Sequence, residues 1–504
     1  MNTLGFRVIW RMTTPPGDGQ MAAHARFRTQ NLIAGAWAGS HTGRTFAVSN
    51  PATDEHLADV PDCDEKDIAR AIDAAVVAQR NWARMPAPER AKIIRRCADI
   101  MHDRIDDLAT IMTLEQGKPI AEAAGEIRYA ASFLVHAAGE AERVYGQTIP
   151  SSFEDKHILA IRQPVGVACA ITPWNFPSAM ITRKLGPALA AGCAMIVKPA
   201  ELTPLSALAL GDVCIDAGVP EGLVSIITGD AATIGKAMFA DFRVRKISFT
   251  GSTEVGKILV RQSADNLQRL SLELGGHAPF IVFEDADIDA ALDGAIACKY
   301  RNGGQTCICA NRFIVHRSVH DAFVAGLVER SRALKVGIGT EKDANIGPLI
   351  NDDAIEKVDR HVADARAKGA TIHCGGERAK VNGGADRFYQ PTVMTGITRE
   401  MVCWNEETFG PVCPVMVFDD EDEAINLAND TEYGLAGYFY TRDASRLMRV
   451  AEALKFGVVG ANDASPSTAQ APFGGVKMSG FGREGGHFGV SEYLDTKYVS
   501  WNVS

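Results

Sequence analysis

The chain has 504 residues, is 46% hydrophobic and 23% charged, and carries a formal net charge of -10. These values indicate a globular protein large enough for two or more cores, and the longest weakly polar run, residues 185–197, is too short to span a bilayer. Because Lys and Arg form no long block, the sequence favours neither nucleic acid nor a membrane as a partner.

Residues 1–24 are predicted to form a disordered N-terminal extension. They include Arg7 and Arg11 but have neither an apolar core region nor a small-residue cleavage site, so we expect no secretory signal. Eleven cysteines are scattered between Cys63 and Cys413, and a chain of this length does not need disulfides for stability. A reducing, cytoplasmic location is therefore expected.

The next regular pattern, over residues 87–112, predicts an amphipathic helix that packs on a core. Its apolar positions recur at spacings of three and four, which places them on one helical face. These positions are Ile93, Cys97, Met101, Ile105, Leu108 and Met112.

From Val165 onward the sequence alternates short apolar strands with helical stretches. The first predicted strands are VGVACAIT, AMIVK, LVSIIT and VRKISFT. Apolar strands of this kind are typical of βαβ units whose parallel sheet is covered on both faces. A second α/β domain is predicted from PFIVF, RFIVH and GPVCPVMVF, with the boundary near Gly275 and Gly276. The final EYLDTKYVSW stretch predicts a terminal strand that needs a partner edge.

Two glycine-rich segments match nucleotide-binding motifs only in part. GFGREG begins at Gly480, but too little chain follows it to build a βαβ unit. GSTEVGK spans residues 251–257 after a predicted strand, yet Ile258 stands where a P-loop needs a hydroxyl for Mg²⁺, which disfavours ATP chemistry. What remains is a strand, a turn at Gly251 and a helix start. This arrangement suits either a bound anion, such as a cofactor pyrophosphate, or simple helix–strand packing.

Three polar residues are candidates for chemistry. Cys307 lies in GGQTCIC, where the glycines allow backbone amides to approach a small substrate. Glu273 lies in ELGGHAP at the domain boundary, which is a natural place for a cleft. Asn175 in WNFP has a side-chain amide able to donate to an oxyanion. Each also has an ordinary alternative, as an inert thiol, a turn residue or a helix cap.

The order of the motifs carries more information than any one of them. PWNFP, KPAELTP, FTGSTEVG, ELGG, GQTC and EETFGP follow one another from Pro173 to Pro411. Together they closely resemble the aldehyde dehydrogenase superfamily, over nearly the whole chain after the extension. The resemblance implies NAD(P)-dependent oxidation of an aldehyde to an acid, with Cys307 as nucleophile, Glu273 as general base and Asn175 as oxyanion donor.

The implied chemistry uses these three groups in turn. The Cys307 thiolate attacks the aldehyde carbon, and the Asn175 amide and the Cys307 backbone N–H stabilise the oxyanion. Loss of hydride to the nicotinamide leaves a thioester. Glu273 then activates a water molecule that releases the acid.

The resemblance also implies which residues contact the cofactor, and it implies no metal. Because a carboxylate at Glu201 accepts hydrogen bonds from ribose hydroxyls but repels a 2′-phosphate, NAD is expected in preference to NADP. The implied cofactor residues are Lys198 and Glu201 near the adenosine ribose, Gly251 and Ser252 at the pyrophosphate, Glu407 and Phe409 at the nicotinamide ribose, and also Pro173 and Trp174.

Within the superfamily the sequence is most similar to succinate-semialdehyde dehydrogenases. The likeness rests on Arg183 in WNFPSAMITRK, Arg301 in KYRNGGQTC and Ser467 in PSTAQAPFGG, whose equivalents hold the substrate's distal carboxylate. Two guanidinium groups on one carboxylate would select for an acid-bearing aldehyde, and the alternative is that they form surface salt bridges. Residues 462–470 depart from the expected pattern, which leaves glutarate or 2-oxoglutarate semialdehyde open as the substrate.

The implied fold is α/β and aldehyde dehydrogenase-like, with a Rossmann-type cofactor domain. Residues 25–138 and 165–275 are assigned to this domain and 276–480 to the catalytic domain. Residues 139–164 and 481–504 are assigned to a small β extension. Such extensions join subunits in this family, so a homodimer or homotetramer is expected.

Two other functions and one regulatory feature are open at this point. Glu273 disfavours a coenzyme A-acylating dehydrogenase, because water activation would waste the thioester. The joint presence of Cys307, Glu273 and Asn175 disfavours a non-catalytic structural protein. Cys309 follows Cys307 at a spacing that in similar enzymes allows a disulfide with the nucleophile. Its alternative role is to pack beside the site.

Overall fold

The computed structural model of the protein describes residues 27–503, so the predicted extension at residues 1–24 lies outside the described residues. Within 27–503 no helix is both long enough and apolar enough to cross a membrane.

One large sheet has eight strands, and its five central strands are parallel. The side chains of β7 (Val167–Ile171) and β8 (Ala194–Lys198) are buried throughout, as expected for a parallel sheet covered on both faces. The predicted strands of the first series are thereby confirmed. In spatial order the strands are β19 (Gly480–Phe481), β11 (Arg269–Glu273), β10 (Val244–Thr250), β7 (Val167–Ile171), β8 (Ala194–Lys198), β9 (Val224–Ile226), β1 (Asn31–Ile33) and β2 (Ala36–Ala38).

The order of the central strands marks a binding crevice. From β7 the chain builds outward to β8 and β9, then returns to the other side of β7 with β10 and β11. In a doubly wound sheet, such a reversal opens a crevice at the carboxyl ends of the two strands that flank it, here β7 and β10. The helices between these strands are α5 (Ala179–Ala191), α6 (Pro204–Ala217), α7 (Ala231–Ala240) and α8 (Thr253–Ser263).

Four helices precede this sheet's central part, and they correct one prediction. The helix predicted over residues 87–112 is two helices, because Arg104 leaves the helical region with φ -114° and ψ 25°. The Arg104 guanidinium donates to Asp216 at 2.6 Å, which favours the break at this residue. The four helices are α1 (Glu65–Arg84), α2 (Ala87–Asp103), α3 (Ile105–Gln116) and α4 (Ile120–Ala141).

A second sheet of seven strands builds the other α/β layer, which confirms the second predicted series. Its order is β14 (Thr371–Cys374), β15 (Thr392–Thr395), β16 (Val412–Phe418), β13 (Ala310–His316), β12 (Ala278–Val282), β17 (Ala436–Tyr440) and β18 (Val458–Ala461). Its helices are α9 (Ile288–Tyr300), α10 (His320–Arg332), α11 (Asp352–Ala367), α12 (Val402–Asn405), α13 (Glu421–Asn429) and α14 (Ala444–Ala453).

Two small β units and one short helix complete the fold. The terminal strand β20 (Leu494–Asn502) pairs antiparallel with β6 (Lys156–Pro164), and β6 also pairs with β5 (Gln147–Ile149). A hairpin joins β3 (Thr45–Ser49) to β4 (His56–Pro61), and α15 (Gly486–Ser491) precedes β20. After β18 the chain returns to the first sheet, where β19 pairs with β11. The GFGREG segment therefore supplies an edge strand beside Glu273.

Candidate active site

The polar residues of the candidate site lie at one edge of the first sheet. In the parallel register, Ile171 of β7 is opposite Lys198 of β8, and Thr250 of β10 is opposite Glu273 of β11. Because the carboxyl ends of parallel strands meet at the same edge, the residues that follow these strands share the crevice between β7 and β10.

Asn175 is held by a buried polar platform. The Lys118 ammonium donates to the Asn175 carbonyl oxygen at 2.8 Å and forms a buried ion pair with Glu126 at 2.5 Å. The Asn175 side-chain nitrogen donates to the Gln305 carbonyl oxygen at 3.0 Å, two residues before the candidate nucleophile. An amide nitrogen carries two hydrogens, so the second can donate to a substrate oxygen. This arrangement suits an oxyanion donor.

The backbone around Cys307 is fixed by close glycine contacts. Helix α9 ends at Tyr300, and the next turn includes Asn302 and Gly303 in the left-handed region, with φ 53° and 62°. Gly276 packs directly on this segment, since a Cβ atom there would lie 2.2 Å from the Cys307 carbonyl oxygen. The ELGG and GQTC motifs are therefore in contact, which brings the end of β11 to the thiol.

The Cys307 thiol lies among groups of both charges. Burial, together with the nearby carboxylates of Glu407 and Glu273, raises its pKa to about 12, while the guanidinium groups of Arg183 and Arg301 oppose this rise. In the ligand-free protein the sulfur is therefore protonated at neutral pH. A base that accepts the thiol proton is needed before attack, and Glu273 is close enough to influence the same sulfur.

Glu273 is the last residue of β11 and is almost fully buried. Neither of its carboxyl oxygens has a hydrogen-bond partner among residues 27–503. Burial and the neighbouring Glu484 carboxylate raise its pKa well above the usual value, against the opposing effect of Arg183, Lys184 and Arg483. A carboxyl group with a raised pKa and free oxygens has the properties of a general base that works near neutral pH.

A buried ionic cluster lies behind Glu273. The Glu484 carboxylate is 2.9 Å from Arg183 Nε and also forms an ion pair with Lys184. The Lys184 ammonium further donates to the Thr250 hydroxyl at 2.6 Å, at the end of β10. The cluster thus ties α5, β10 and the segment after β19 together beside the candidate base.

The predicted substrate residues occupy different environments. Arg183 is fully buried, with the Phe473 ring 4.0 Å and the Phe133 ring 5.1 Å from its guanidinium carbon. Arg301 is exposed, and its guanidinium lies 5.4 Å from the Phe176 ring. Both arginines act electrostatically on the Cys307 sulfur, so both flank the thiol.

Ser467 lies in the loop between β18 and β19. Its hydroxyl is 2.6 Å from the Tyr129 hydroxyl of α4, and both side chains are half-buried.

The fold and the motif residues described above are consistent with the match of the chain to a known protein family. The model of the aldehyde dehydrogenase family matches residues 37–499. The chain belongs to the aldehyde dehydrogenase family.

Curated relatives and solved structures extend this family assignment over nearly the whole chain. The chain is 51% identical over 473 residues to an NADP(+) succinate-semialdehyde dehydrogenase of Escherichia coli, covering 94% of this chain and 98% of the relative. It is also 51% identical over 473 residues to a glutarate-semialdehyde dehydrogenase of Pseudomonas aeruginosa, covering 94% and 97%. The crystal structure of succinate-semialdehyde dehydrogenase from Burkholderia pseudomallei superposes with a TM-score of 0.93 at 53% identity, covering 95% and 98% of the two chains.

In this aldehyde dehydrogenase family member, Lys198 and Glu201 form an ion pair at the end of β8. The ammonium is buried and lies 2.7 Å from the carboxylate, whose side chain is 41% exposed. The same Glu201 oxygen accepts from the Ala231 backbone nitrogen at 2.8 Å, at the start of α7. The other carboxyl oxygen stays available to accept from a sugar hydroxyl, which fits the predicted ribose contact.

The turn after β10 has the features of a diphosphate-binding site. Gly251 donates its backbone N–H to the Glu273 carbonyl oxygen at 3.0 Å. Ser252 is the N-cap of α8, where its side chain accepts from the Val255 backbone nitrogen, and it is exposed. The amides and the positive end of the helix dipole of α8 face the crevice edge, where an anion is stabilised.

Residues between α12 and β16 contact residues that follow β7 and β11 of the first sheet. Glu407 accepts from the Gly276 backbone nitrogen at 3.1 Å, and burial raises its pKa to about 7. The Trp174 and Phe409 rings meet edge to face at 5.6 Å, and Pro173 precedes Trp174 at the end of β7. The helix terminus, the two glutamates and this aromatic pair fit a dinucleotide with a diphosphate between two sugars.

Cys309 contacts a buried lysine. It is a buried free thiol, and its sulfur accepts from the Lys299 ammonium at 3.3 Å. Cys307 is free as well. The regulatory disulfide stays a prediction.

Sequence reasoning missed Glu484, Lys184 and Tyr129. Lys184 directly follows Arg183, and Glu484 lies inside the rejected GFGREG segment, so both were within quoted motifs. Two adjacent cations, Arg183 and Lys184, in an otherwise mostly apolar segment are a signal that could have identified Lys184. Tyr129 carries no local signal, because its partner Ser467 is 338 residues away in the sequence.

One further group of possible metal ligands lies outside the site. Atoms of His41, Asp64 and Asp67 lie within 4.8 Å of one another. Asp64 is the N-cap of α1 and pairs with His41 at 3.1 Å, so capping and ion pairing account for this grouping.

Proposed function

We propose that this protein oxidises a carboxylate-bearing semialdehyde to the corresponding diacid, and that succinate semialdehyde is its substrate. The observation that carries the proposal is the convergence of Cys307, Glu273 and Arg183, each within electrostatic reach of the other two. A nucleophile, a base and a buried guanidinium in one place suit an aldehyde with a distant negative charge.

In the proposed reaction the chain's residues act in a fixed order. Glu273 takes the Cys307 proton, and the sulfur adds to the aldehyde carbon. The Asn175 amide and the Cys307 backbone N–H donate to the oxyanion that forms. A bound nicotinamide supplies the hydride acceptor for this chemistry. Glu273 must then be deprotonated again to activate the water that cleaves the thioester.

The cofactor is proposed to be NAD in preference to NADP. Support comes from the half-exposed Glu201 carboxylate, which accepts from ribose hydroxyls and disfavours a 2′-phosphate. Lys198 reduces this preference, because its ammonium lies 2.7 Å from the same carboxylate. Cofactor discrimination is therefore expected to be moderate rather than absolute.

Glutarate semialdehyde is the second candidate substrate. A glutarate-semialdehyde dehydrogenase is as similar to this chain as the succinate-semialdehyde dehydrogenase, with 51% identity to each. 2-Oxoglutarate semialdehyde keeps the same charged end and belongs in the same comparison. A coenzyme A-acylating activity is disfavoured, because a buried base with free oxygens is suited to activating water.

The test is a kcat/KM panel with succinate, glutarate and 2-oxoglutarate semialdehydes, butanal as the uncharged control, and each nicotinamide cofactor. The proposal predicts the highest value for succinate semialdehyde with NAD and a much lower value for butanal. Addition of coenzyme A should not change the product. Equal values for butanal and the semialdehydes would refute the proposed substrate class.

We further propose a cytoplasmic homodimer or homotetramer. All eleven cysteines are free thiols, which suits a reducing compartment. The β20–β6–β5 sheet exposes large apolar side chains, including Tyr498, Trp501 and Ile149, and such a surface is typical of a subunit contact. Light scattering at several protein concentrations distinguishes a dimer from a tetramer, and a monomer at all of them would refute the assembly.

A further inference from the structure

The hydroxyl pair of Tyr129 and Ser467 joins two distant segments beside the buried Arg183. Tyr129 belongs to α4, and Ser467 belongs to the loop between β18 and β19. Their oxygens are 2.6 Å apart, which is a short hydrogen bond between neutral groups. This hydrogen bond holds the loop against α4.

The aromatic contacts place this pair next to the guanidinium. The Tyr129 ring meets the Phe133 ring edge to face at 4.9 Å, and Phe133 in turn lies 5.1 Å from the Arg183 guanidinium carbon. Phe473, which follows Ser467 in the same loop, lies 4.0 Å from that carbon. The Arg183 guanidinium is therefore close to both the helix and the loop that the hydroxyl pair connects.

The guanidinium has unused hydrogen-bonding capacity at this place. Its Nη2 atom is buried and has no hydrogen-bond partner in the described part of the chain. Burial disfavours its charge, but nearby carboxylates, including that of Glu484, stabilise it, so that the pKa of Arg183 is raised overall. A buried donor without a partner is costly, and an anionic acceptor would remove that cost.

The hydroxyl pair adds a further donor. Two hydroxyl groups that share one hydrogen bond use one of their two hydrogens, and the second is free to donate. A substrate carboxylate can accept hydrogen bonds from that hydrogen and from the Arg183 Nη2 hydrogens. The hydroxyl pair carries no negative charge and so does not repel the carboxylate.

We propose that Tyr129 is a specificity-determining residue for the distal carboxylate of the substrate, acting together with Ser467 as one hydroxyl unit beside Arg183. This inference rests on the proposed function. Tyr129 touches the far end of the substrate or positions Ser467 there, and it takes no part in the chemistry at Cys307.

The experiment compares wild type, Tyr129→Phe, Ser467→Ala and the double variant on succinate semialdehyde and butanal. Tyr129→Phe keeps the ring contact with Phe133 and removes only the hydroxyl. We expect each single variant to lose about tenfold in kcat/KM for the semialdehyde, through KM, because a hydrogen bond to a charged group is lost. The loss of kcat/KM should be much smaller for butanal, which has no carboxylate to bind.

The double variant tests whether the two hydroxyls act as one unit. We expect it to lose no more than the worse single variant, because either substitution already breaks the pair. Tyr389→Phe, which removes a phenol hydroxyl in the core of the second sheet, is the matched control and should behave as wild type.

Three results would overturn the inference. They are an unchanged preference for the semialdehyde in Tyr129→Phe, an equal loss on both aldehydes, and additive losses in the double variant. Thermal unfolding of each variant shows whether an equal loss comes from misfolding, and Ser467→Ala, in a loop, provides a second test if Tyr129→Phe is unstable. The wild-type ratio of kcat/KM for succinate semialdehyde to kcat/KM for butanal distinguishes failure of this inference from failure of the proposed function. If wild type shows no preference for the semialdehyde, the proposed function itself fails.

Discussion

The Glu484 carboxylate lies 2.9 Å from Arg183 Nε, in an ion pair whose side chains are 5% and 1% exposed. The same carboxylate raises the pKa of Glu273, the candidate base. A residue near the C-terminus therefore connects the arginine proposed to hold the substrate with the group proposed to activate water. This link has a measurable consequence.

Glu484→Gln should shift the pH dependence of kcat. Removal of this charge lowers the pKa of Glu273, because a nearby negative charge disfavours its ionised form and because Arg183 and Lys184 lose a competing partner. Glu273 acts as a base only when deprotonated, so activity rises with pH through its pKa. The rising limb of the kcat–pH profile should move to lower pH in the variant.

The matched control for this shift is Glu492→Gln. Glu492 also accepts from a buried lysine, Lys246, but it is not among the largest electrostatic influences on Glu273. Its profile should coincide with that of wild type. An unshifted profile in Glu484→Gln, or a shift to higher pH, would contradict the proposed electrostatic link.

Alkylation of Cys307 should report the protonation of its thiol. Because burial and nearby carboxylates raise its pKa to about 12, the thiolate is scarce at pH 8 in the protein without cofactor. The iodoacetamide labelling rate, followed by peptide mass spectrometry, should rise about tenfold per pH unit between pH 7 and pH 10. A rate that levels off below pH 9 would show that the sulfur is already ionised.

Glu201→Gln should change the choice of cofactor. The variant removes a negative charge beside Lys198, so the ammonium becomes free to attract a 2′-phosphate. The ratio of kcat/KM with NADP to that with NAD should increase. Glu221→Gln removes an exposed carboxylate elsewhere in the same domain and should leave the ratio unchanged. A Glu201→Gln ratio equal to that of wild type would exclude this residue as the discriminating group.

Arg301→Ala should weaken binding of the semialdehyde. Loss of a guanidinium that contacts a carboxylate is expected to raise KM for succinate semialdehyde about 10- to 100-fold, with little change for butanal. Arg317→Ala removes an exposed, ion-paired arginine of the second domain and serves as the control. If KM for succinate semialdehyde is the same in Arg301→Ala as in wild type, this arginine has no role in substrate binding.

The motif-bearing strands could be predicted from the sequence because their information is local. Runs such as AMIVK and PFIVF are short, apolar and followed by turns, and each forms a buried strand in the structure. Parallel pairing then places Lys198 and Glu273 at one edge without further information. The break at Arg104 was missed because the apolar spacing continues through it, and the Asp216 contact that favours the break is remote in sequence.

The ionic and hydroxyl contacts of the site could not be predicted in the same way. Glu484 meets Lys184 across 300 residues, and the pairings of β19 with β11 and of Glu484 with Phe473 place it there. Arg183 was expected to hold the substrate carboxylate together with Arg301 and Ser467, and the structure adds an ion pair with Glu484 and contacts with two aromatic rings. Such contacts depend on tertiary geometry that no local pattern specifies.

The most direct test of the account follows the covalent intermediate in Glu273→Gln. This variant keeps the nucleophile but loses the base for both steps. Solvent hydroxide can still ionise the thiol before attack, whereas the water that cleaves the thioester needs a base in the transition state. Hydrolysis should therefore slow more than acylation, and kcat should fall by about 10²–10⁴. Rapid mixing with succinate semialdehyde and NAD, followed by intact-mass and peptide analysis, should show a succinyl group accumulating on Cys307 together with a burst of reduced cofactor. An unmodified Cys307 without a burst, or turnover as fast as in wild type, would contradict thioester formation at Cys307 and hydrolysis by Glu273.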